Sequence, residues 1–174
     1  KHRPFDLRAC MKAVGGQPIS ERTDANIDYF FGRELERWSE FREAPMLKRL
    51  PTHHGNSITP SNTMLIAGLV KGINIDNLAH EMMMQHWAYD CDLADTDTLA
   101  KISLSVDIDP QPLLELSNSK EVLKIYADNT KEAIEKSVFG SPTYFVDGDM
   151  FYGQDRLELV ERALLKPFNN RIAK

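Results

Sequence analysis

Between Thr143 and Leu165 the spacing of hydrophobic residues changes period. Thr143, Tyr144, Phe145 and Val146 are β-branched or aromatic, and Asp147-Gly148 is a dipeptide that accepts positive φ. Met150, Phe151 and Tyr152 read as the return strand of a tight hairpin, and Gly153 breaks it. From Gln154 the period becomes helical, placing Leu157, Val160 and Leu164 on one face. Upstream, residues from about Thr23 to Ser137 read as helices joined by short loops. Ile27, Phe30, Phe31, Leu35 and Trp38 form one apolar stripe, with Thr23 or Asp24 as its cap and Trp38 expected in the core. A polar loop, Leu50–Pro60, carries His53-His54, and the next helix is expected to open at Ser61-Asn62-Thr63. Asp76–Tyr89 is predicted as one helix whose methionines, Met82 and Met83, fill the core. Asp97–Val106 and Pro112–Leu116 are short helices. Asn118, with Glu121 three residues on, predicts the start of a longer one ending near Lys136. That last helix should carry Ala133, Ile134 and Val138 toward the core. Arg8–Val14 reads as a short helix, and Lys166–Lys174 as a polar tail.

The chain has 174 residues, about one domain's worth. Its 42% hydrophobic and 27% charged content is that of a soluble globular protein. A net charge of −5 argues against a nucleic-acid groove. No apolar run reaches membrane-spanning length, and no signal peptide is visible. The two cysteines, Cys10 and Cys91, form no C-x-x-C, which suits a reducing cytoplasm; both read as small, partly buried side chains. His80 and His86 lie six apart rather than at the H-E-x-x-H spacing, so no metal site is expected there.

Two points suggest a site. Ser141-Pro142 stands at the entrance to the first strand, where proline cannot donate to the ladder and an X-Pro bond can be cis. A cis peptide there would turn the Ser141 N–H and C=O outward toward an extended ligand. At Gly153-Gln154-Asp155 a strand runs into a helix, where free N–H groups suit a carboxylate and Asp155 suits an ammonium group. Together they fit a short zwitterionic peptide. In the plainer alternative Pro142 only starts a strand and Asp155 only caps a helix.

Val138-Phe139-Gly140-Ser141-Pro142-Thr143, followed by Phe151-Tyr152-Gly153-Gln154-Asp155-Arg156-Leu157, resembles the C-terminal signature of the 2-hydroxychromene-2-carboxylate isomerases. These are relatives of kappa-class glutathione transferases within the thioredoxin-like group that includes disulfide oxidoreductases. The usual pattern is FG-V-PT, a hairpin and a G-N/S-DR run; Ser141 replaces the Val and Gln154 the Asn or Ser. Leu35-Glu36-Arg37-Trp38-Ser39-Glu40 with Ala44-Pro45-Met46 resembles the same family, as do the Asn62-Thr63 pair and the segment Trp87–Asp95. Gly15-Gly16-Gln17-Pro18 is similar to its G-N-x-P loop, with Gly16 at the Asn position. Arg3-Pro4-Phe5-Asp6-Leu7 resembles the family's second strand.

The resemblance implies an α/β architecture: a thioredoxin-like domain, residues 1–14 and 138–174, interrupted by a helical insertion, residues 15–137. The family's first strand and helix are expected to lie outside this sequence. It implies glutathione as cofactor, contacted by Ser141, Pro142, Gln154, Asp155 and Gln17. It also implies a small, aromatic, anionic substrate met by Asn62 and Trp87, a homodimer, and a cytoplasmic location. The expected reaction interconverts 2-hydroxychromene-2-carboxylate and trans-o-hydroxybenzylidenepyruvate. The family's serine that contacts the thiol sits on the absent first helix, so the resemblance assigns no catalytic residue, and Ser141 is not that serine. A glutathione transferase, a disulfide oxidoreductase on the same scaffold, or an inactive truncated chain are the alternatives.

Overall fold

The computed structural model describes residues 1–17 and 21–169. Helix α1, Leu7–Ala13, comes first, and the Asp6 carboxylate caps it by accepting from the Ala9 N–H. Helix α2, Asp24–Ile27, is capped by Thr23 and runs into a π-helical turn, Asp28–Arg33, and then helix α3, Glu34–Arg42. The wider turn breaks the simple period expected there. Phe31 is partly covered, Phe30 points to solvent, and Trp38 is only half-buried, because no residue of α3 enters the core.

Helices α4, Thr59–Val70, α5, Asp76–Tyr89, α6, Thr96–Ser105, α7, Gln111–Ser117, and α8, Lys120–Glu135, form the main body. Helix α4 has no charged residue and packs against α5, α7 and α8, so it is buried on most sides. Met64, Ile66, Leu78, Met82, Leu99, Leu113 and Val122 make up this core. At Gly68 the neighbours close in: a Cβ there would sit 2.6 Å from Ile75 Cγ2. Met82 is buried as expected, but Met83 faces solvent because it falls one position off the buried stripe.

Three expected helix starts shift. Helix α4 begins at Thr59, so Asn62 lies one turn inside it and does not cap it. Helix α8 is capped by the Ser119 side chain, which accepts from Val122 N–H, while Asn118 ends α7. Helix α6 is capped by Asp95, which accepts from Asp97 and Thr98.

Residues Arg3–Asp6 are not a strand. No strand lies beside them among the described residues, and side chains of the helical body satisfy their backbone. Asn129 Nδ2 donates to Pro4 O at 3.0 Å, Asn62 Nδ2 to Phe5 O at 3.0 Å, and Asp6 N–H donates to Thr130 Oγ1 at 2.9 Å. Asn129 is itself buried, so this attachment is an internal one.

The hairpin forms as the pattern predicts. Strand β1, Thr143–Val146, pairs antiparallel with β2, Asp149–Tyr152, in the register Thr143 to Tyr152. Asp147 and Gly148 both take positive φ, 49° and 86°, as the primed two-residue turn requires. A 3₁₀ turn, Gln154–Arg156, leads into helix α9, Leu157–Leu165, which packs on β1. The apolar stripe of α9 is mostly exposed: Leu164 is 70% accessible, and Ala163 is the residue that is buried. A sheet of two short strands offers too little surface to cover a full helix face. A small second cluster, Cys10, Ala133 and Val138, ties α1 and α8 to the start of the hairpin, with Phe5 and Met150 packed against it.

Candidate functional site

The two halves of the C-terminal motif are joined by one bond. The Gly153 N–H donates to Pro142 O at 3.0 Å, which sets Ser141-Pro142 against the Gly153–Asp155 turn. The Ser141–Pro142 peptide is cis. Among the described residues, neither the N–H nor the C=O of Ser141 has a hydrogen-bond partner, so this short edge is open to an extended ligand. Gly140 is buried under Tyr152; a Cβ at Gly140 would overlap the Tyr152 ring, which also packs edge-on against Phe139 at 4.8 Å between centroids. Thr143 Oγ1 donates back to Gly140 O at 2.7 Å and closes the loop.

Asp155 does not cap a helix. Its carboxylate pairs with the neighbouring Arg156 and folds back over Gly153, where any Cβ would strike it. Gln154 is half-buried, and its carbonyl accepts from Arg42 at the end of α3 at 3.2 Å. Arg42 also lies over the Trp38 ring, 5.1 Å from its centroid. The loop thus has an unpaired backbone edge at Ser141, with the Asp155–Arg156 ion pair beside it and Arg42 of α3 against Gln154. Gln17 is exposed after α1 and makes no bond with this loop among the described residues; Pro18, its neighbour in the motif, lies outside them.

The helical side is assembled around Trp87. Asn62 reaches Phe5 O, so its amide holds the segment before α1 in place. Trp87 is half-buried near the end of α5, and its carbonyl accepts from Leu47 N–H at 2.8 Å. Against its ring stands His54, with centroids 5.1 Å apart, and His54 in turn bonds His86 at 3.1 Å. Burial, the neighbouring His86 and Arg8 together hold the His54 imidazole below its ordinary pKa. Sequence reasoning left both histidines without a role. They are far apart in the chain, and the doubled histidine in the Leu50–Pro60 loop is the one local hint.

A family model described as "DSBA-like thioredoxin domain" matches residues 1–165. The chain belongs to the DSBA-like thioredoxin domain family. A 2-hydroxychromene-2-carboxylate isomerase from Sphingobium xenophagum is 26% identical over 165 residues, covering 95% of this chain and 82% of that protein. The isomerase of the same name from Pseudomonas putida is also 26% identical, over 167 residues. A glutathione S-transferase kappa 2 from Caenorhabditis elegans is 28% identical over 133 residues, 69% of this chain and 59% of that protein. A solved structure of a 2-hydroxychromene-2-carboxylate isomerase superposes with a TM-score of 0.73 at 23% identity, covering 95% of this chain and 79% of that one. That likeness establishes the fold: a helix-rich thioredoxin-like architecture with a small antiparallel sheet. No helix among the described residues is long and apolar enough to cross a membrane, and no cluster of three or more His, Cys, Asp or Glu could hold a metal there.

Proposed function

We propose that this protein is a glutathione-dependent isomerase that interconverts 2-hydroxychromene-2-carboxylate and trans-o-hydroxybenzylidenepyruvate. The observation that carries the reading is the Gly153 to Pro142 bond, which brings the unpaired Ser141 edge and Asp155 together in one short loop. Relatives that bear the isomerase name cover nearly the whole chain. The donor set of the loop suits a tripeptide with one ammonium and two carboxylate groups. Ser141 N–H and C=O pair with its central residue, Asp155 receives the ammonium, and Arg42 and Arg156 balance the carboxylates. Bound glutathione supplies a thiolate whose reversible addition turns the conjugated double bond into a single bond that can rotate. Gln154 and Pro142 shape the floor of that site, and the likeness of Gly15–Pro18 to the family's G-N-x-P loop is what assigns Gln17 to it. Trp87 offers an aromatic face to the flat substrate, and the free positions of the Asn62 amide stand ready for an oxygen of its carboxylate or ketone.

Asp155→Ala should weaken glutathione binding by about 1.5–3 kcal/mol, the worth of a hydrogen bond to a charged group. Calorimetry on the full natural chain measures it, and unchanged affinity in a folded variant would falsify the assignment of Asp155. The similarity to a kappa transferase favours a second reading, conjugation of glutathione to an electrophile. Thiol consumption with a generic electrophile, absent for an isomerase that returns its thiol, separates the two.

A further inference from the structure

The His54–His86 pair lies outside the cofactor loop and has no part in the reading above. Its hydrogen bonds fix the proton positions. His86 Nδ1 lies 3.0 Å from the Cys91 carbonyl oxygen, which can only accept, so Nδ1 carries the hydrogen and His86 Nε2 is a bare lone pair. That lone pair lies 3.1 Å from His54 Nδ1. The hydrogen between the rings therefore sits on His54 Nδ1, and the neutral His54 keeps its lone pair on Nε2, which bonds no described residue. The rings stack with centroids 5.4 Å apart.

The loop that carries His54 is held at many points, unlike a free surface loop. Arg8 on α1 donates to the carbonyls of His54 and Asn56, both at 2.9 Å. The Asp90 carboxylate accepts from Thr52 N–H at 2.6 Å, from Thr52 Oγ1 at 2.7 Å and from Arg49 at 2.5 Å. Asn56 Nδ2 donates to Asp92 at 2.8 Å, and His53 stands 3.7 Å from the same carboxylate. Three aromatic groups border His54: Trp87, His86 and Phe31, the last with Arg22 over its ring. A catalytic base needs a fixed position and a lone pair, and this imidazole has both.

We propose that His54, backed by His86, takes and returns the hydroxyl proton of an aromatic cyclic hemiketal carboxylate bound against Trp87. The inference rests on the isomerase reading. His54 Nε2 removes the hemiketal O–H proton. The hemiketal oxygen forms the ketone, the ring C–O bond breaks, and its electron pair stays on the phenolate oxygen. The same proton then passes to the phenolate, so the product is an isomer and nothing else is consumed. His86 acts as a positioning residue: it accepts from His54 Nδ1 and stabilises the imidazolium while the proton is held. The second proton is disfavoured, since two protonated rings would oppose N–H to N–H across 3.1 Å. The charged and titratable groups around His54 are Arg8, His86, His53, Asp92 and, beyond Phe31, Arg22; Arg8 opposes its charge, and His86 opposes it only when itself protonated.

The test uses the full natural chain. Nitrogen-15 NMR of the imidazoles at pH 8 should show His54 protonated on Nδ1 with Nε2 bare, and His86 protonated on Nδ1. The opposite tautomer of His54 would overturn the proposal before any assay. His54→Asn keeps a donor toward His86 but has no basic lone pair, so kcat for ring opening should fall about 100-fold or more. Its acidic limb in the pH–rate profile should vanish, and glutathione affinity should stay unchanged. His86→Gln should lower kcat less and move that limb to lower pH, because the ring lone pair that stabilises the His54 imidazolium is gone. An active wild type with His54→Asn within threefold of it overturns the role of His54 and leaves the isomerase reading standing. A wild type with the expected tautomers but no isomerase activity overturns both.

Discussion

The helical body and the hairpin end of the same chain are built in contrasting ways. In the body, α4 is surrounded, and Met64, Leu78, Leu99, Leu113 and Val122 are fully buried. Each contributes roughly 1.5–3 kcal/mol of transfer free energy, so the body is stabilised chiefly by apolar burial. At the hairpin end buried apolar side chains are few, the small cluster of Cys10, Ala133 and Val138 together with Phe151 and Ala163, and Leu157, Leu159, Leu164 and Leu165 of α9 stay exposed. What holds that end is directional: the β1–β2 ladder, the Gly153 to Pro142 bond and the Arg42 to Gln154 bond. A region held by few buried contacts opens at low free-energy cost, and ligand-binding loops belong to such regions. The candidate cofactor loop lies in the weaker region, and the His54 loop is clamped to the stronger one.

The largest effect that tests this contrast is in the body. Leu99→Ala should cost about 2–5 kcal/mol of global stability, read by denaturant unfolding. A cost under about 1 kcal/mol would mean that the body repacks freely and that the contrast is overstated. Gly140→Ala comes next. Its Cβ would overlap the Tyr152 ring, and overpacking of this kind costs about 1–3 kcal/mol. Adding Tyr152→Ala should recover part of that loss, whereas strict additivity would show that the two residues do not meet. Hydrogen exchange should then find hairpin amides opening in Gly140→Ala while α4 amides keep their protection.

The smallest effect is a pH dependence, and it differs between the two clamps of the His54 loop. Burial first, then His86 and Arg8, holds His54 below its ordinary value of 6.5. The unfolded chain therefore binds a proton at His54 more readily than the folded one. The stability that follows is fully present above pH 6.5 and is lost as pH falls toward the folded pKa. Asp90 is depressed by its bonds to Arg49 and then Thr52, so its contribution holds above the ordinary 3.8 and is lost only in stronger acid. Stability measured from pH 8 to pH 5 should decline in the wild type and decline less in His54→Asn. Equal slopes in the two would remove His54 as the source.

Local chemistry made much of the fold legible. The alternation from Thr143 to Tyr152 and the Asp147-Gly148 turn predicted the hairpin because both are short-range effects. The helical periods predicted α5 to the residue and the others within a few residues. The motif Phe139–Leu157 led to a resemblance that the family match and the relatives share. Tertiary structure decided the rest. Arg3–Leu7 resembles the family's second strand, yet a strand is made by its neighbours, and here Asn62, Asn129 and Thr130 take the hydrogen bonds of Phe5, Pro4 and Asp6. Asn62 looks like a cap and instead reaches across to Phe5, because α4 starts a turn earlier. The period placed Leu157, Val160 and Leu164 on one face of α9, but burial depends on what lies opposite, and two strands do not cover that face. His54 and His86 are separated by 32 positions, and no pattern in the sequence pairs them. Their partnership exists because Arg8, Asp90 and Asp92 fasten one loop to the end of α5, a placement that only the packed chain can specify.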